Sequence, residues 1–199
     1  LAAIAGFLAH EGFVVLVGSR GARARRESKT PAWRSVIVFG ALVVSAPSDP
    51  EAGAVRERVL VVSDTTLTSD GAVAAVSARD VMAGREGELL LVNGQLRPRI
   101  DCTVGVPERW RVVNACTSRF LELRLDDHSW GFAGYDGHAL TAPEERSTVV
   151  LAPGNRADLV VEPTRTGRFT LRTLAHDRGG MGMMNGSGSR STSAPTTLA

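Results

Sequence analysis

Residues 109–125 read RWRVVNACTSRFLELRL, and their spacing decides the fold class. Trp110 and Val112 alternate with Arg109 and Arg111, and Leu121, Leu123 and Leu125 alternate with Glu122 and Arg124. Successive side chains of a strand point to opposite faces, so a period of two sets one face on a core and the other in water. The same spacing recurs outward along the chain. Ile100, Cys102 and Val104 alternate with Asp101 and Thr103, and Phe169, Leu171 and Thr173 alternate with Arg168, Thr170 and Arg172. Val59–Val62 is a short continuous apolar run. Strand signals recurring about every 8–12 residues predict an all-β sandwich or barrel. The helical candidate in this region, Ala78–Gly84, is too short to stand alone.

Turn chemistry supports the strands. Asn93-Gly94, inside LLLVNGQLRPRI (89–100), supplies the positive φ angles of a tight hairpin. Asp136-Gly137 is a second such signal, and Asp126-Asp127 sets His128 in a hairpin turn. Ala152-Pro153-Gly154-Asn155 suits a type II turn, with Pro second and Gly third. A hairpin centred on Val106-Pro107 sets Cys102 opposite Arg111 and leaves Cys116 off register. A disulfide needs Cα atoms within about 7 Å, so both cysteines are expected as free thiols.

Length and composition bound the answer. The 199 residues suffice for one sandwich plus extensions, and the formal net charge of +2 calls for no polyanionic partner. Lys29 is the sole lysine among 23 basic residues, a compositional bias rather than a function. Leu1–Val17 is apolar but broken by His10 and Glu11. A membrane span needs about 20 consecutive apolar residues, and a signal peptide needs a basic flank and a small-residue cleavage site. Neither pattern fits, so the segment reads as a buried pair of strands or as sequence out of context. The chain starts at Leu1 rather than Met and reads as a fragment or processed product. A basic patch, Arg20 to Arg34, has Trp33 as its aromatic companion and no nucleic-acid-binding motif, so it reads as a solvated segment. Asp64, Asp70, Asp126 and Asp127 show no spacing of a catalytic carboxylate pair.

The expected organisation is 1–50, with a strand at Val36–Val44; a linker at 51–56; an all-β domain at 57–178; and a Gly/Ser-rich linker at 179–199.

Four motifs in a fixed order resemble the second domain of multicopper oxidases. They are Leu89–Gly94 followed by Pro98; Trp110, Arg111, Asn114, Ala115 and Arg119; Trp130–Gly137; and Ala152–Asp158. FGALVVSAPSDP (39–50) is similar to the strand closing the first domain of that family, and Asp177–Met184 resembles the end of domain two in bacterial laccase-like and copper-resistance members. An immunoglobulin-like adhesion module would share the strand spacing but not the ordered turn motifs. The resemblance implies a cupredoxin-like Greek-key sandwich or barrel over 57–178, with 1–50 a remnant of the first cupredoxin domain, disordered or frame-disturbed before residue 35. It implies a parent oxidoreductase that couples one-electron oxidation of a substrate to reduction of dioxygen to water. It further implies an extracytoplasmic location, other cupredoxin domains of the parent as partners, and neither nucleic acid nor a membrane span.

Copper sites of the family use His-x-His pairs and a His-Cys-His segment, because imidazole and thiolate suit copper. His10, His128, His138 and His176 form no such pair, and Cys116 lacks flanking histidines. The expectation is therefore copper in the parent and none bound by this chain, no catalytic residue here, and Met181, Met183 and Met184 as weak soft-ligand candidates. Where the family carries its upstream His-x-His, this chain has the basic patch. Either the site is lost or the N-terminal part is truncated or frame-disturbed. The alternative implied by a lost site is a copper-less scaffold or binding protein of the cell envelope.

Overall fold

The computed structural model describes residues 14–18, 38–43, 56–177, 192–193 and 195–199. The elements in chain order are β1 (Val14–Gly18), β2 (Val38–Leu42), β3 (Arg56–Thr65), α1 (Ala78–Ala83), β4 (Leu89–Val92), β5 (Glu108–Asn114), β6 (Leu121–Leu125), β7 (Trp130–Tyr135), β8 (His138–Arg146), β9 (Val149–Leu151), β10 (Arg156–Val161), β11 (Leu171–Leu174), β12 (His176–Asp177), β13 (Thr192–Ser193) and β14 (Thr196–Thr197). β1 and β2 pair antiparallel as a ribbon. The basic patch between them lies outside the described residues, as do residues 51–55 of the expected linker, whose Arg56 is already the first residue of β3.

Period-two spacing puts the core between two sheets. One runs β4-β3-β5-β10-β7-β8 and the other β14-β11-β6-β9. Leu60, Val62, Trp110, Val112, Leu159, Val161, Trp130 and Phe132 from the first meet Leu121, Leu123, Val149, Leu151 and Leu171 from the second. Trp110 and Trp130 meet edge to face at 6.1 Å between centroids. α1 is one short helix with a capping box, Ser77 accepting from the Asp80 N–H and Asp80 accepting in return from the Ser77 N–H.

Three turns adopt the expected backbone. Asn93 and Gly94 take φ of 51° and 76°, Asp136 and Gly137 take 49° and 88°, and Gly154 takes 85° with the Asn155 N–H donating to Ala152 O. The second arm of the Asn93-Gly94 turn is one bridge, Val92 to Gln95, rather than a strand. The Asn93 side chain instead continues the ladder along β3, accepting from Val61 N and donating to Val59 O.

Elsewhere the structure corrects the reading. Ile100–Val104 is no strand. Gly105, at φ +71°, donates to Pro163 O, and Val106 donates to Thr103 O, so the segment turns across the end of the sandwich with Val104 exposed. No hairpin forms around Val106-Pro107, and Cys102 faces the Glu108 carboxylate instead of Arg111. Both cysteines are free. The Asp126-Asp127 turn joins β6 to β7 in different sheets, so it is a crossing and not a hairpin. Phe169 lies just outside β11.

Residues 192–193 and 195–199, read as part of a linker, return to the body. β13 pairs with β12, β14 pairs with β11, and Leu198 is fully buried. One leucine among small polar residues leaves no periodic pattern to read, yet it fills the core beside Leu171, and β11 takes up the backbone hydrogen bonds of that segment.

Candidate functional site

Strand β5 is buried along its whole length, which alternation alone does not foresee. It lies between β3, with Glu57 opposite Arg109, and β10, with Asp158 opposite Arg111. Partners across a ladder share a face, so both carboxylates flank both arginines. Arg109 reaches Asp158 at 2.6 Å and Glu57 at 3.5 Å, and Arg111 reaches Glu57 at 2.8 Å. The arginine face expected in water is thus a buried ion network.

The family-like motifs meet at one end of β5. Asn114 is completely buried, its Nδ2 donating to Arg119 O at 2.8 Å and Leu151 O at 2.9 Å while its Oδ1 accepts from Cys116 N at 3.0 Å. Its backbone N–H donates to Asn155 O, and its C=O accepts from Gly154 N. Asn155 Oδ1 caps Ala152 N, and Asn155 Nδ2 donates to Asp136 Oδ2 at 2.6 Å. Asp136 also accepts from Arg156 N. The Trp-Arg-x-x-Asn strand, the Asp-Gly turn and the Pro-Gly turn therefore form one hydrogen-bonded knot.

Arg119 forms a second polar cluster beside it. It donates to Gly87 O at 2.8 Å and pairs with Asp64 at 3.4 Å and Glu86 at 3.6 Å. Asp64 in turn accepts from Gly87 N. A Cβ on Gly87 would stand 2.3 Å from Thr65 N, so the close approach demands glycine.

At the other end of β5, Glu108 is buried with four partners. Arg58 Nε lies at 2.5 Å, Trp110 Nε1 at 3.1 Å, Cys102 Sγ at 3.5 Å and Arg56 at 3.5 Å. Burial pushes its carboxyl up, but the hydrogen bonds from Arg58 and the Trp110 indole outweigh this and hold it below its ordinary value. Sequence reading passed over Glu108 and Glu86, and it weighed Asp64 only as a member of a catalytic carboxylate pair. The signal available for Glu108 was its place two residues before Trp110 on the same strand face.

The histidines are dispersed. His128 Nδ1 donates to Asp126 O, and its ring meets Phe169 edge-on at 4.4 Å. His138 opens β8 and is exposed. His176 contacts Glu122 at 3.1 Å and stacks on Phe120. A copper thiolate must lose its proton, whereas burial, then Asp64, pushes the Cys116 thiol up. These donors do not fit a His₂Cys copper site. No group of three or more His, Cys, Asp or Glu is gathered for a metal among the described residues, while Met181, Met183, Met184 and His10 lie outside them. No helix of the described residues is long and apolar enough to cross a membrane.

A profile of the family described as Multicopper oxidase matches residues 56–191. A cell division protein FtsP of Gallibacterium anatis is 34% identical over 119 residues, which is 59% of this chain and 24% of that protein. A laccase of Bacillus stratosphericus is 32% identical over 77 residues, 38% of this chain and 15% of that protein. Among solved structures, the multicopper oxidase of Campylobacter jejuni, described as a metallo-oxidase, superposes with a TM-score of 0.65 at 29% identity, covering 80% of this chain and 33% of that one. The chain thus spans about a quarter of that cell division protein and a third of that oxidase.

Proposed function

The chain belongs to the multicopper oxidase family, and from that premise we propose that it is a copper-free spacer domain of a longer oxidase. Its two-sheet body is the cupredoxin-like sandwich of such proteins. In this reading residues 57–178 are the second cupredoxin domain and 1–50 a remnant of the first. Other domains of the parent hold the copper, take single electrons from a reducing substrate and deliver them to dioxygen, outside the cytoplasm. The observation that carries the proposal is the fate of the motif residues. Asn114, Arg119, Asp136, Asn155 and Asp158 are all engaged in bonds that join strands and turns. Those residues act on architecture, which is what a spacer supplies. The test is metal analysis and visible absorption of the purified chain after exposure to Cu(I) and Cu(II). The expected result is no stoichiometric copper and no blue band; a tight one-to-one complex would overturn the proposal.

A second reading has its own support. The FtsP relative is named for cell division rather than oxidation. On that reading the parent is a copper-less scaffold or binding protein of the cell envelope. Copper content and dioxygen uptake of the full-length parent separate the two: copper with uptake favours the oxidase, and neither favours the scaffold.

A further inference from the structure

A cleft of about 750 Å³ opens at the Trp110 end of the sandwich, between the 97–104 and 163–170 segments. That volume lies within the roughly 300–1,000 Å³ of small-molecule sites. Trp110, Val161 and Phe169 contribute apolar wall, and four arginines against one aspartate, Asp101, make the lining cationic. Two of those charges are already answered. Arg99 pairs with Asp101 at 2.6 Å, and Arg165 pairs with Asp127 at 2.7 Å. The other two, Arg97 and Arg168, have no hydrogen-bond or ion-pair partner among the described residues.

The backbone of Arg97 and the ordering of the apolar wall mark the cleft as more than a gap between loops. Arg97 takes φ +50°, a left-handed conformation that a long side chain adopts at a cost, and it precedes Pro98, which biases it toward extended backbone. The strained residue is thus one that lines the cleft. His128 also lines the cleft, its Nδ1 donating to Asp126 O and its ring set edge-on against Phe169, so this part of the wall is held in place. A strained residue carrying an unanswered charge, a second unanswered arginine and an ordered apolar wall together describe a binding site.

We infer that this cleft binds an organic anion with an apolar body, its carboxylate or sulfonate held between Arg97 and Arg168. The inference does not depend on copper or on the spacer reading. Calorimetric titration of the 199-residue chain with naphthalene-1-carboxylate and with its neutral carboxamide tests it. The carboxylate should bind about tenfold more tightly at low salt, a difference of about 1.4 kcal/mol. Arg168→Ala and Arg97→Gly should each weaken carboxylate binding by about three- to fivefold, in line with partly exposed ion pairs, and leave carboxamide binding unchanged. Arg97→Gly should not lower the melting temperature, because glycine accepts the left-handed backbone; this separates lost binding from lost folding. Equal affinity for the two ligands, undetectable binding of both, or variants that bind the carboxylate as tightly as the parent chain would overturn the inference.

Discussion

Replacing Asn114 by alanine tests whether the turn knot holds the sandwich together. The side chain is fully buried and makes three hydrogen bonds, to Arg119 O, Leu151 O and Cys116 N. Truncation orphans all three backbone partners, and each buried orphan costs about 1–3 kcal/mol. A water entering the vacated space recovers part of this, so the expected loss is about 3–5 kcal/mol, a large share of the ~5–15 kcal/mol of a typical domain. In a chain of this length that corresponds to a fall in melting temperature of roughly 6–20 °C. Asn114→Asp should be worse, since it keeps the shape but turns a donor into an acceptor facing two carbonyls. Asn93→Ala is the internal control. Asn93 makes two side-chain bonds to β3 at an exposed position, and water replaces them, so about 1 kcal/mol is expected. Urea unfolding followed by far-ultraviolet circular dichroism measures all three. An Asn114→Ala loss no greater than that of Asn93→Ala would refute the reasoning, because burial would then carry no added cost.

Other substitutions probe the rest of the body by the same assay. Trp110→Ala empties a core site packed on Trp130 and should cost about 3–5 kcal/mol; a neutral effect would contradict its place in the core. Arg119→Met strands Asp64 and Glu86 and should cost about 3–5 kcal/mol, with part recovered on adding Asp64→Asn. No recovery in the double variant would separate Arg119 from that cluster. Glu108 has a folded pKa below its unfolded value. Its contribution is therefore complete above the unfolded pKa of about 4.3 and is lost as pH falls through the folded value. Stability should decline over that acid range, and Glu108→Gln should shallow the decline; an identical pH slope in the variant would assign the loss elsewhere.

The strands and turns were legible because each rests on local chemistry. Alternation at Leu121–Leu125 needs only the period of two, and the positive φ angles at Asn93 and Asp136 need residues that tolerate them. Ile100–Val104 failed because five alternating residues also fit a turn, and the Gly105 N–H donates to Pro163 O rather than to a neighbouring strand. The arginines of β5 failed for a different reason. Alternation reports which residues share a face, not what covers that face. Glu57 lies far from Arg109 in sequence, and the direct parallel pairing of β3 with β5, with β4 on the far side of β3, is what brings them level. The Arg-lined cleft was equally hidden, because its two walls come from segments well separated in sequence whose arginines look like ordinary surface charge.

These two kinds of success and failure bear on what a family resemblance means in a domain of this sort. An apolar strand position accepts Val, Leu or Ile with little penalty, so it keeps little identity between relatives. A turn that needs φ above zero, or an amide that must donate twice and accept once in a buried site, accepts very few residues. Asn114, Asp136 and Gly154 are positions of that kind. Their demands come from the backbone they join and are indifferent to any reaction carried out elsewhere in a longer protein. It follows that one architectural pattern can serve relatives named for oxidation and relatives named for cell division alike. It also follows that substitutions at the knot should be felt first in folding, whichever chemistry the parent performs, whereas substitutions at Arg97 and Arg168 should leave folding intact and change only what the cleft holds.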